Sequence, residues 1–125
     1  MLTAERCLMR QAGDLASREH IPPLAARVLI AIRFDAGQTV SGLREQLGAT
    51  TPTLARILGD LDQRGLIERR ASRVDARRRT LYLTTDGKRL TDPAAIAMRD
   101  TLRDAYRRAG ASAVAGTRAV LEALS

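Results

Sequence analysis

The sequence predicts a mainly α-helical winged helix-turn-helix, ordered α-α-α-α-β-β-α-α, whose terminal helices form a dimerisation region. Two helix-sized segments, 41–47 and 52–64, are separated only by a tight turn, and the second ends at Gly65. Two short apolar runs follow at once, Leu66-Ile67-Glu68-Arg69 and Thr80-Leu81-Tyr82-Leu83-Thr84, around a turn crowded with arginine. Aromatic residues make up only 2% of the chain, so the core must be built from Leu, Ile, Val and Ala, a composition that favours helix over sheet.

Residues 2–19 read as the first helix, with Cys7/Leu8, Ala12 and Leu15/Ala16 on one face at spacings of three and four. His20-Ile-Pro22-Pro23 breaks it. Pro23 suits the first turn of a second helix carrying Leu24, Val28, Leu29, Ile32 and Ala36, which Asp35-Ala-Gly37 ends. Thr39-Val40 reads as an extended link. Ser41 is then the expected N-cap of the third helix, with Leu43 and Leu47 packed inward and Gly48 as its stop. Thr50 or Thr51 caps the fourth helix, Pro52 lies in its first turn, and Leu54, Ile57, Leu58 and Leu61 form its buried stripe. Gly65 supplies a left-handed C-cap. In the hairpin, Leu81 and Leu83 alternate inward. Thr85-Asp86-Gly87 opens the next helix, which Asp92-Pro93 is expected to interrupt or restart before it runs on to Gly110. A last helix starts near Ser112 and carries Val114, Leu121 and Leu124.

A chain of 125 residues is enough for one domain with one core. One cysteine excludes an internal disulfide and fits a reducing cytosol. The longest apolar run, Val28–Ile32, is far too short to span a bilayer, and no secretory signal is read ahead of it. Enzyme signals are missing: there is no glycine-rich phosphate loop, no histidine-based nucleophile and base, and no clustered carboxylates. With one His and one Cys, no ordinary zinc site forms within a subunit, so no cofactor or metal is expected. Cys7 is expected to be a small core residue, and His20 a surface residue near a helix end.

The net charge is +7, and all the basic residues but Lys88 are arginine. Genome composition is a bland source of that bias, so position carries the argument. Residues 66–90 hold eight basic against three acidic side chains, most of the net charge, while the remainder is nearly neutral. Positive charge gathered on one hairpin is a footprint for phosphate. On the fourth helix, Thr51, Pro52, Thr53 and Arg56 occupy the first turn and a half, where free N–H groups and the positive dipole end face outward and Arg56 can fork onto a guanine. In the hairpin turn, Arg73, Arg77, Arg78 and Arg79 suit a narrow, strongly negative minor groove. Asp75 would repel phosphate if free, so its expected role is to hold Arg77 through an i, i+2 ion pair.

The segments Val40–Leu47, Thr50–Arg56, Leu61-Asp-Gln-Arg-Gly-Leu-Ile-Glu-Arg69, Asp75-Ala-Arg77 and Leu83-Thr-Thr-Asp-Gly87 resemble the MarR family of bacterial winged-helix regulators. The resemblance implies a homodimer with intertwined terminal helices. It implies a recognition helix at 52–64 in the major groove, and Arg77 in the minor groove with Asp75 supporting it. It also implies a cytoplasmic, nucleoid-associated transcriptional regulator, usually a repressor, released in many members by a small-molecule effector or thiol oxidation. The expected organisation is a single MarR-like domain over 1–125, with a winged-helix core at 37–90 and dimerisation helices at 1–22 and 91–125. The expected partners are double-stranded DNA, a second copy of the chain and an effector of unknown identity, with no membrane. Two other readings stay open: a non-specific architectural DNA binder, and a winged helix used as a protein-interaction module.

Overall fold

The computed structural model describes residues 2–109, with side chains from residue 5 to residue 108. Its elements are α1 (Leu2–Glu19), α2 (Pro23–Phe34), α3 (Val40–Leu47), α4 (Thr51–Gln63), β1 (Ile67–Ala71), β2 (Arg79–Leu83) and α5 (Thr85–Ala109). The helix expected from about Ser112 lies outside the described residues.

Ala12, Leu15 and Ala16 bury one stripe of α1. The helix ends where His20 takes a left-handed conformation, φ 55°, and the Ile21 N–H reaches back to the Ala16 carbonyl. Histidine does here what glycine usually does, so the break at 20–23 has no glycine signal. α2 is the centre of the molecule. Val28, Leu29, Ile30, Ala31 and Ile32 are all buried, because α1, α5, β2, α3 and α4 pack around it.

β1 and β2 pair antiparallel, Ile67 opposite Leu83 and Ala71 opposite Arg79. The residues before α3 add a third, partial rung. The Gly37 N–H donates to the Leu81 carbonyl, the Leu81 N–H donates to the Gln38 carbonyl, and Thr39 bridges Thr80. That pairing corrects the expected cap of α3. Thr39, not Ser41, is the N-cap; its hydroxyl accepts from the Gly42 N–H at 3.1 Å, and the helix starts at Val40. The extended backbone that bridges Thr80 is also the backbone an N-cap needs.

α5 is continuous through Pro93, against the expected interruption at Asp92-Pro93. Proline inside a helix removes one hydrogen bond and costs about 3 kcal/mol. Neighbouring groups reinforce the turn before it. The Arg33 guanidinium donates to the Lys88 carbonyl and to Asp92 Oδ1, both at 2.9 Å. Buried Thr91 donates its hydroxyl towards the Gly87 and Lys88 carbonyls. Asp92 therefore serves as the partner of Arg33 from α2 rather than as a new helix cap.

The hairpin is fastened to α5 at Thr84 and Gly87. Thr84 Oγ1 donates to the Gly65 carbonyl at 2.6 Å and accepts from the Gly87 N–H at 3.1 Å. A Cβ on Gly87 would overlap the Leu66 carbonyl. Gly87→Ala should therefore destabilise the fold by about 1–3 kcal/mol, read as a lower thermal midpoint. At an unobstructed helix position the same change stabilises by roughly 0.5–1 kcal/mol, so the sign decides whether this contact is real.

Candidate nucleic-acid interface

α4 presents a polar outer face because its inner face is committed. Leu54, Ile57, Leu58 and Leu61 are buried, which leaves Thr51, Pro52 and Arg56 exposed and Thr53 half-buried. Thr50 is the N-cap. It accepts from the Thr53 N–H at 3.4 Å and donates its hydroxyl to Thr53 Oγ1 at 2.8 Å. The first turn therefore offers fewer donors than its sequence suggests. Pro52 has no N–H, the Thr53 N–H goes to the cap, and the Leu54 N–H goes to the Thr50 carbonyl. Among the described residues, the Thr51 N–H is what remains unpaired there. The Thr53 hydroxyl accepts from Thr50 but keeps its own proton to donate. Arg56 makes no ion pair among the described residues.

The hairpin turn is a closed, hydrogen-bonded loop. The Ser72 N–H donates to the Arg78 carbonyl, and the Arg78 N–H donates to the Asp75 carbonyl, both at 3.0 Å. Ser72 Oγ accepts from the N–H groups of Val74 and Asp75. Asp75 Oδ1 accepts from the Arg77 N–H at 3.0 Å and from Arg77 Nε at 3.3 Å. Arg78 Nε stands 3.9 Å from Asp75 Oδ2. The expected Asp75–Arg77 pair is thus present. The aspartate side chain is 35% exposed, while Arg77 is 93% exposed and points out from the tip.

The other arginines divide into structural and free. Arg70 lies 4.0 Å above the Tyr82 ring and bonds Glu68 at 2.6 Å, which raises its already high pKa. It is held on the sheet face. Arg69, Arg73 and Arg79 are exposed and make no ion pair among the described residues. Arg78 and Arg79 line a cleft with Thr39, Val40 and Ser41, so the Thr39–Thr80 bridge brings the start of α3 against the base of the hairpin. The β-branched pair Thr39-Val40 was the available signal for that contact. Arg56 lines a different cavity, with Pro22, Leu24, Ala25 and Thr53.

Cys7 is half-buried rather than a core residue. Its Sγ lies 3.3 Å from Thr101 Oγ1 across the α1–α5 contact. The described residues hold no group of three or more His, Cys, Asp or Glu side chains able to grip a metal ion.

Two helices in a helix-turn-helix, followed at once by a braced, arginine-bearing hairpin, define a winged helix. Residues 21–78 match the model of the MarR family. It is 44% identical over 98 residues to the HTH-type transcriptional regulator PetP of Rhodobacter capsulatus. That alignment takes in 78% of this chain and 59% of PetP, so the chain spans well under two thirds of that relative's length. Ligand-free MarR from E. coli has a similar fold, with a TM-score of 0.63, 24% identity, and coverage of 95% of this chain and 89% of MarR. MepR of S. aureus, solved as a complex with DNA, has a TM-score of 0.61 at 22% identity, covering 80% of this chain and 82% of MepR.

Exposed ion pairs contribute only about 0–1 kcal/mol, so Asp75 shapes the loop more than it stabilises the protein. Asp75→Ala should leave the thermal midpoint within a degree or two while speeding amide hydrogen exchange at Arg77, whose N–H it now accepts. Unchanged exchange at Arg77 would show that the turn holds itself without the carboxylate.

Proposed function

We propose that the protein is a sequence-specific DNA-binding transcriptional regulator, acting as a repressor, that binds a pseudo-palindromic site as a homodimer. The observation that carries this reading is the braced turn: one aspartate holds a well-exposed arginine in an outward pose at the tip of a hairpin. An arginine held that way suits a narrow minor groove. Thr51, Pro52, Thr53 and Arg56 on the outer face of α4 suit the adjacent major groove, with Arg73 and Arg78 beside the backbone. Support from relatives comes from PetP, named as a transcriptional regulator, and from MepR, solved with DNA. The reading contains no catalytic step and needs no cofactor.

The division of labour follows the same reading. The winged-helix core at 37–90 meets DNA, and 1–22 with 91–125 form the dimer. Met9 on α1 and Ile96 on α5 are each 55% exposed, and a second copy of the chain is the simplest cover for them. No helix among the described residues is long and apolar enough to cross a membrane. A regulator of this kind works in the bacterial cytoplasm, at the nucleoid.

The test uses a duplex selected from a random-sequence pool by the wild-type protein, with binding measured across a salt series. Arg77→Ala should flatten the log–log salt dependence by about one unit per lost phosphate contact and weaken binding most on A·T-rich flanks. Arg56→Ala should cost roughly 1–3 kcal/mol at particular base pairs and relax preference there. Sedimentation should give about twice the 13.6 kDa chain mass, with half-sites about one helical turn apart. Selection that returns no consensus would favour the architectural binder, and wild-type binding by both variants would favour the protein-interaction module.

A further inference from the structure

Three large hydrophobic side chains are strongly exposed among the described residues: Met9, Ile96 and Val74. The first two lie on α1 and α5. Val74 is different. It stands at the very tip of the hairpin, 97% exposed, next to Arg73 and within a few residues of Arg77, Arg78 and Arg79.

A single exposed apolar residue needs no explanation by itself. The backbone that carries Val74 does. Its N–H donates to Ser72 Oγ at 3.2 Å, and the same oxygen accepts from the Asp75 N–H at 3.3 Å. Ser72 is in turn closed onto Arg78 through its own N–H, and the Asp75 carbonyl accepts from Arg78. Val74 is thus held outward by the network that orients Arg77. The loop presents an apolar side chain with as much structure as it spends on the cation. A β-branched side chain is also stiff at χ1, so little rotamer freedom is lost on contact.

We propose that Val74 is a specificity residue of the wing: it packs against the deoxyribose walls of the minor groove and responds to groove width. The inference rests on the reading of the hairpin as a minor-groove element. The sugar walls are the apolar part of that groove, between the phosphate rims that attract the arginines. A narrow groove brings both walls within van der Waals reach of a valine, and a wide one leaves its methyl groups in water. The arginines supply attraction through charge; Val74 supplies a term that depends on shape and not on salt.

That difference gives the test. The wild-type protein, Val74→Ala and Arg77→Ala are titrated across a salt series onto the selected duplex, with its flanks remade as A·T runs or as G·C runs. Val74→Ala should weaken binding about three- to tenfold per wing on A·T-run flanks, as expected when two partly buried methyl groups are removed. It should change little on G·C-run flanks and leave the salt slope unaltered. Val74→Thr, nearly the same shape with one methyl replaced by hydroxyl, should fall between. If Val74→Ala matches wild type on both duplexes while Arg77→Ala is weakened, the wing stands in the groove and the proposal about Val74 is overturned. If neither variant differs from wild type, the minor-groove reading itself fails, and this proposal with it. A loss equal on both flanks would also overturn it, since the contact would then not depend on groove width.

Discussion

The close approach of α5 to the start of β1 is the constraint on which the wing depends. Gly87 lies against the Leu66 carbonyl where any side chain would collide. Beside it, Thr84 joins three elements with one hydroxyl and one N–H. The hydroxyl reaches the Gly65 carbonyl and receives the Gly87 N–H, while the Thr84 N–H donates to the Leu66 carbonyl. Gly65, with φ of 71°, makes the left-handed turn that lets β1 leave α4 at this spot. The end of α4, both strand bases and the first turn of α5 therefore meet over a few residues. The hairpin cannot swing at its root without breaking this junction.

A fixed root matters because the tip relies on weak forces. Exposed ion pairs of the Asp75–Arg77 type add little to stability, and salt screens them. Their value lies in entropy. An arginine side chain carries about 2 kcal/mol of rotamer freedom, part of which is lost whenever it is immobilised at an interface. Asp75 gathers two arginines and one backbone N–H in advance, so less ordering is left for binding. Arg70 takes the opposite course: bonded to Glu68 and stacked on Tyr82, it stiffens the sheet and is withdrawn from the tip. The same residue type thus builds the hairpin at one position and presents charge at another.

What the sequence made legible was local. Helical periodicity, the glycine stops at 48 and 65, the hairpin and the Asp-x-Arg spacing all act within a few residues and appear in the structure, although the strands run over Ile67–Ala71 and Arg79–Leu83 and only the second alternates in burial. What stayed hidden depended on distant partners. Asp92-Pro93 looks like a helix start because aspartate caps and proline begins helices. Its aspartate is instead claimed by Arg33, 59 residues away. Thr39 becomes a cap because Thr80 holds it extended. Cys7 meets Thr101 across 94 residues of chain, so no neighbour in sequence announces its setting. The donor inventory of α4 was over-read for a different reason: Thr50 caps the helix by consuming the Thr53 N–H that the outer face was expected to offer.

The continuity of α5 links these points. Had the helix restarted at Pro93, the segment after the wing and the segment packed on α1 would be separate bodies. As one helix of 25 residues it is a rod of roughly 37 Å, at about 1.5 Å per residue. Its first turn is locked to Leu66 and Thr84, its first and second turns are held by Arg33 of α2, and its later turns bury Ala94, Ala95 and Met98 and meet α1 at the Cys7–Thr101 contact. The proline lies just beyond the Arg33 bonds, so the gap in the hydrogen-bond ladder falls beside a tie to α2. The orientation of the wing is therefore set by how α5 lies on α1 and α2, and the packing of the first helix is mechanically part of the hairpin's placement.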